Sequence, residues 1–246
     1  MNPLEPWWFT TKAGKIFLND EKDNLNTLLP SLYGYHLIQC APPFLGSFVS
    51  SSLISHRVLI NIHGSSNWPC SLIRSEMECL PLLNDSVDVV LLTHTLELVS
   101  RPHQMLREAH RALIAQGHVV ITGLNPFSFW GILILIKRIF SRSPPYKMIS
   151  PNRVKDWLKL LDFEIKEYKM FYYRPPFSNV KFMNRLQFFE KMGQRFWPFF
   201  GGGYVIVAVK KVLRFTPVRP RFIRPKKIWD AQGVTGSATY KKEGPM

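Results

Sequence analysis

The chain has 246 residues, 46 % of them hydrophobic, and a formal charge of +15. That length and apolar content make a real core available: one α/β domain of ordinary size with appendages. Cys40, Cys70 and Cys79 are odd in number and widely spaced, which fits neither a disulfide framework nor a zinc site, so free thiols in a reducing compartment and no metal are expected.

The N-terminal residues contain Trp7, Trp8 and Phe9, too short an apolar run for a signal peptide, so a cytoplasmic location is expected by default. With Leu25, Leu28 and Leu29 further on, residues 1–30 read as an N-terminal helical segment laid over a sheet. Tyr35–Cys40, Arg57–His63 and Cys70–Ser75 read as three strands, with room for one helix between the first two. The stretch from His63 to Cys70 is too short for a helix, so the second and third strands are open to hairpin pairing instead.

Val87–Leu92 is an almost unbroken apolar run, as expected of a parallel strand covered on both faces. Ser100 is a candidate cap for a helix with Pro102 in its first turn. Met105, Leu106, Ala109 and Leu113 form its buried face, and Gly117 is its expected end. His118–Thr122 then resumes a buried strand. Ligands in such sheets sit outside the carboxyl ends of the strands. Thr93, His94 and Thr95 occupy one such end, and Gly123, Leu124 and Asn125 the next.

Phe127–Phe140 is strongly apolar but falls short of the roughly 20 residues needed to cross a bilayer. It reads either as a buried crossover helix or as an apolar lid touching lipid or a hydrophobic substrate, with Lys137, Arg138 and Arg142 at the headgroups. Association with a membrane surface is therefore left open. Ser150 and Pro151 open an amphipathic helix with Val154, Trp157, Leu158 and Leu161 on one face. A strand at Phe163–Tyr168, an aromatic-rich insertion at 174–200 with helical spacing in its middle, and a last strand at Tyr204–Lys211 complete the domain, residues 31–213. Gly201–Gly203 precede a strand rather than a helix and are no phosphate loop.

The last 37 residues hold ten Lys or Arg against two acids, a net of +8, while the other 209 carry +7. Residues 214–246 lack apolar periodicity and have the composition of a disordered basic tail. Such a tail is either an arm for an anionic partner, RNA or DNA or lipid headgroups, or a solvated extension with no partner.

Leu80–Pro126 carries a family resemblance. Leu80-Pro81, Asp85-Ser86-Val87-Asp88, His94 with Leu96-Glu97, Leu106-Arg107-Glu108, Arg111-Ala112-Leu113 and Gly117 stand in the order and spacing of the second half of a class I S-adenosylmethionine-dependent methyltransferase, most similar to the type 11 group. The resemblance implies a Rossmann-like α/β sheet, mostly parallel with an antiparallel closing strand and helices on both faces. It implies S-adenosylmethionine as cofactor and an unidentified methyl acceptor.

It also allots site residues. The first strand should leave through a glycine-rich turn, but Cys40 and Ala41 lead into Pro42-Pro43. Gly64 is no substitute, because only 22 residues separate it from Val87 and two further strands would have to fit there. The second strand ends at His63, where the family has a ribose-binding acid. Glu76 is either an acid near the adenine amino group or a surface acid, and Met77 is placed to cover the ring. Thr93 and His94 line the cleft, with His94 the candidate base or, alternatively, a strand-end residue that holds its loop. Asn125-Pro126 is similar to part of an amino-group methyltransferase signature that follows the fourth strand. Here it follows the fifth, so that role is not carried over, and Asn125 and Trp130 are assigned to the acceptor side. Glu97 and Asp88 read as structural. Three functions stay open: an active methyltransferase, a cofactor-degenerate binding module of the same fold, or a nucleic-acid or membrane-surface protein acting through its tail.

Overall fold

The structure is a computed structural model that describes residues 11–62, 71–140, 147–174, 193, 195, 197 and 199–211, with the backbone alone for 137–140. The chain divides into two units, Met1–Val212 and Leu213–Met246, and every described residue belongs to the first. Trp7–Phe9, His63, most of the insertion and the basic tail lie outside the described residues.

Helix α1 (Lys12–Leu28) is capped by Thr11, whose hydroxyl accepts from Gly14 N at 3.0 Å. Seven strands follow: β1 (His36–Cys40), β2 (His56–Asn61), β3 (Ser71–Arg74), β4 (Val87–Thr93), β5 (Leu113–Leu124), β6 (Phe163–Phe171) and β7 (Gly203–Lys210). They form one sheet in the order β3-β2-β1-β4-β5-β7-β6. Strands β1 to β5 pair in parallel, and β7 runs antiparallel to both β5 and β6. This is the Rossmann-like arrangement that the resemblance implies, with the antiparallel strand where it was expected.

Alternation along the strands splits the core in two. Leu37, Leu59, Val89, Leu91 and Val120 face α1 and the start of α4 (Phe129–Phe140). Ile38, Ile60, Val90, Leu92 and Ile121 face α3 (Pro102–Ala112) and α5 (Pro151–Leu160). Helices therefore cover both faces.

Four local expectations are corrected. The β1–β2 crossover, residues 41–55, contains no helix. Instead the buried Gln39 amide does the work of a turn, donating to Gly46 O at 3.3 Å and accepting from Phe48 N at 3.1 Å, while Leu45, Phe48, Val49 and Ile54 anchor the loop. Strands β2 and β3 pair in parallel, with Val58 opposite Ser71 and Asn61 opposite Arg74, and form no hairpin. A helix is not needed for that return: nine residues can span roughly 30 Å, more than twice the roughly 13 Å length of a four-residue strand.

Helix α3 begins on Arg101 rather than Ser100, without a side-chain cap, and Pro102 supplies its first turn. It ends at Ala112, not Gly117. Leu113 already pairs with Val87, and the next partners are Val89 and His118, so residues 114–117 bulge out of the ladder. Gln116 takes φ 65°, and a Cβ on Gly117 would lie 2.9 Å from Ile114 O.

The resembling residues before β4 prove to be a clamp. Arg111 donates to Leu80 O, Leu82 O and Asn84 Oδ1, and Glu108 accepts from Leu80 N. Together they tie the β3–β4 loop to α3. Asp88 accepts from Tyr35 N and His36 N and sets the start of β1.

Candidate functional site

At the C-terminal ends of β1, β2 and β4 lies a recess of about 150 Å³, lined by Pro42, Pro43, Phe44, Ile62, Met77, Thr95, Leu98 and Val99. The strand order dictates the place, because the crossovers on either side of β1 leave in opposite directions. Thr95, which opens the short helix α2 (Thr95–Leu98), is the polar residue of the lining among the described residues, and its hydroxyl is spent on Cys40 O at 2.6 Å. Thr93 reaches the same carbonyl at 3.4 Å and accepts from Gln39 Nε2 at 3.3 Å. The Cys40 thiol is fully buried, and burial pushes its pKa up to about 12. Beneath an apolar floor there is thus a closed hydrogen-bond web that fixes the loop exits.

His94 follows β4 in the left-handed region, φ 51°, and turns the chain into α2. Its side chain is fully buried. Nδ1 donates to Glu97 Oε2 at 2.8 Å and Nε2 to Glu21 Oε2 of α1 at 3.1 Å. Glu97 Oε1 accepts in addition from Leu124 N at 2.5 Å. Burial disfavours charge on the imidazole, but the carboxylates of Glu21 and Glu97 more than offset it and raise the pKa to about 10. His94 is thus an imidazolium with both nitrogens engaged, which leaves no lone pair to take a proton at neutral pH. Its role is to join α1, α2 and the end of β5.

A second, larger recess of about 410 Å³ opens between α3, α4 and α5, lined by Pro102, His103, Pro126, Leu135, Lys147, Met148, Ile149, Arg153 and Trp157. Main-chain N of Lys147 donates to Glu97 O at 3.3 Å, which brings this wall against α2. The Arg153 guanidinium lies 5.2 Å from the Trp157 ring centroid, and the His103 ring 4.0 Å on centroids. The recess is cationic on an aromatic and aliphatic base.

The residues read from sequence fall into separate places. Met77 lines the first recess, while Cys40, Ala41 and Thr93 support it from below. Glu76 is exposed beside Met77 and is not in the lining. His63 lies outside the described residues. Asn125 is buried and adjoins Pro126 of the second recess. Trp130 is not in an open cleft: it is 2 % exposed and packs on Phe17 and Tyr172 in the α1-facing core.

Sequence reading missed Glu21 as the partner of His94, and it missed Ile62, Leu98 and Val99 in the lining. Helical spacing in α1 marks its apolar face but gives no sign that a glutamate on it meets residue 94.

The first recess suits the base of an adenosyl cofactor, because the apolar side chains of Met77, Ile62, Leu98 and Val99 line it together with Pro42, Pro43 and Phe44. The polar ends of that cofactor are served differently from the family pattern. Prolines 42 and 43 have no N–H to offer, and no helix N-terminus follows β1.

Comparison with known proteins agrees with this architecture. Residues 52–121 match the family described as Methyltransferase domain. The uncharacterized protein YafS of Escherichia coli (strain K12) is 34 % identical over 170 residues, 68 % of this chain and 69 % of that one. Among solved structures, a SAM-dependent methyltransferase of Thermotoga maritima superposes with a TM-score of 0.60 at 19 % identity, covering 83 % of this chain and 93 % of that one. One from Archaeoglobus fulgidus gives 0.56 at 17 %, covering 78 % and 94 %. The [4+2]-cyclase SpnF gives 0.50 at 12 %, covering 78 % and 80 %. The chain belongs to the family of YafS; its residues 52–121 match the methyltransferase domain and its sheet has the fold of the S-adenosylmethionine-dependent methyltransferases, whose cofactor is S-adenosylmethionine.

Proposed function

We propose that the protein transfers a methyl group from S-adenosylmethionine to an acceptor admitted through the recess between α3, α4 and α5. The observation that carries this reading is the apolar recess at the ends of β1, β2 and β4, formed where the sheet topology puts a nucleotide. Met77, Ile62, Leu98 and Val99 would hold the adenine, and Thr95 would keep the β1 exit in place. The bound cofactor supplies an electrophilic methyl on sulfur, so the protein has mainly to align the acceptor and exclude water. No general base is assigned, because His94 is already protonated and enclosed.

The acceptor recess favours a molecule with an acidic group on an apolar body, because Lys147 and Arg153 line it together with Leu135, Met148 and Trp157. Calorimetric titration with S-adenosylmethionine tests the cofactor half. A Leu98→Trp variant, which fills the recess, is expected to weaken binding by at least about tenfold. Binding that is absent in the wild type, or indifferent to Leu98→Trp, would remove the reading.

A second reading is favoured by the proline turn and the missing helix after β1: a module that keeps the fold and binds without transferring. The likeness to a cyclase shows that this fold does not by itself dictate methyl transfer. Cofactor binding with no turnover on any acidic amphiphile would support it.

A further inference from the structure

Helix α4 is half core and half bare. Trp130 and Ile134 are buried against α1 and the sheet, whereas Phe129, Ile132, Leu135 and Ile136 are between 41 and 59 % exposed. Positions 129, 132 and 136 recur at helical spacing, so these side chains share one outward face. Phe127, just before the helix, is 66 % exposed and Phe199 is 68 % exposed.

Asn125 brings those two aromatic turns together. Its Nδ2 donates to Phe199 O at 2.8 Å and to Gly201 O at 3.0 Å, and its Oδ1 accepts from Phe127 N at 3.1 Å. Gly131 seats the helix, since a Cβ there would collide with the carbonyl oxygens of Asn125 and Pro126. The apolar surface is therefore built on a fixed base, and contiguous exposed surface of this kind marks an interaction or membrane site.

Charge decides which occupant it suits. Leu135 belongs both to this face and to the cationic recess, where Lys147 and Arg153 line the wall and, among the described residues, no Asp or Glu does. An apolar face bordered by cations on a chain of net charge +15 matches the cross-section of an anionic bilayer, apolar chains beneath acidic headgroups.

We propose that the outward face of α4, with Phe127 and Phe199, docks on anionic phospholipid membranes and that the Lys147–Arg153 recess receives a headgroup phosphate. The docking does not depend on methyl transfer. Its consequence for the enzyme is that an amphiphilic acceptor would enter the second recess directly from the bilayer.

The test is flotation of the full chain with phosphatidylcholine vesicles, with and without phosphatidylglycerol, over a series of salt concentrations. Binding is expected only to the anionic vesicles. Ile132→Ser/Ile136→Ser, at exposed positions, should weaken it roughly tenfold. Lys147→Gln/Arg153→Gln should weaken it by a similar roughly tenfold factor, with the gap from wild type closing as salt screens the charge.

Thermal melting of each variant verifies that the fold is retained, and binding of S-adenosylhomocysteine reports the cofactor recess separately. If Ile132→Ser/Ile136→Ser binds anionic vesicles as the wild type does, the attachment belongs to other basic segments and the proposal fails. It fails equally if the wild type ignores both kinds of vesicle. A third contrary result is a wild-type dimer in sedimentation that the isoleucine variant dissociates with vesicle binding unchanged, which would make the face a contact between copies.

Discussion

The two halves of the sheet reach the same parallel pairing by different means. Between β4 and β5 a helix crosses over, and its Arg111 and Glu108 hold the preceding loop. From β1 to β2 the connection has no helix, and a single buried amide, Gln39, organises the return. The difference teaches that the sheet requires a chain long enough to come back, not a helix. The β1–β2 half, where the resemblance implies a glycine-rich cofactor turn, is the half that carries a proline turn and no helix.

The largest effect should come from the β4–β5 half. His94→Ala leaves the buried carboxylates of Glu21 and Glu97 without their shared cation, at a cost of about 3–5 kcal/mol in denaturant unfolding. A loss under 1 kcal/mol would mean that α1 is not fastened through this residue.

In the β1–β2 half, Gln39→Leu strips Phe48 N and Gly46 O of partners and should cost about 1–3 kcal/mol. Hydrogen exchange should rise over 41–55 and stay level over α3. Uniform acceleration would show that the two halves open together. Gly131→Ala, which pushes α4 against the carbonyls of Asn125 and Pro126, should cost about 1–3 kcal/mol by thermal melting.

The dependence on pH is the most specific effect. Because His94 has its pKa raised from 6.5 to about 10, the folded chain holds a proton that the unfolded chain releases. Its contribution is full below pH 6.5 and falls as pH rises toward 10. The Cys40 thiol, ordinarily near 9.0 and raised by burial, acts in the same direction from about pH 8 upward, but equally in the wild type and in Glu21→Gln, so the difference between the two isolates His94. His110 and His118, lowered chiefly by burial, act in the opposite direction and below 6.5. Stability should therefore decline above pH 6.5 in the wild type and decline less in Glu21→Gln. A flat profile in both would contradict a charged His94.

The sequence discloses the scaffold better than the site for a physical reason. Apolar runs and helical spacing are local, so β4 and α5 are legible to within a residue or two, and α3 and β5 are legible as elements although their shared boundary falls five residues earlier than the sequence suggests. The residues that carry the family resemblance, Glu108, Arg111, Asp88 and Glu97, turn out to tie loops to helices and strands, which is why they reveal the fold and are silent on the reaction. Contacts between distant segments leave no local trace: Glu21 meets His94 across 73 positions. The bulge at 114–117 misled in another way, since a glycine suited to ending a helix also suits a kinked strand. Parallel pairing of β2 and β3 was hidden by the expectation of a helical crossover.

In the proposed function this recess binds the adenosyl base through apolar contact while the proline turn offers little to the amino-acid end. Calorimetric titration of the full chain with S-adenosylhomocysteine and with methylthioadenosine, which lacks that end, measures it directly. Affinities within roughly tenfold of each other are predicted. Binding of neither ligand, or a preference of roughly a hundredfold for S-adenosylhomocysteine, as charged hydrogen bonds to a carboxylate would give, would contradict it.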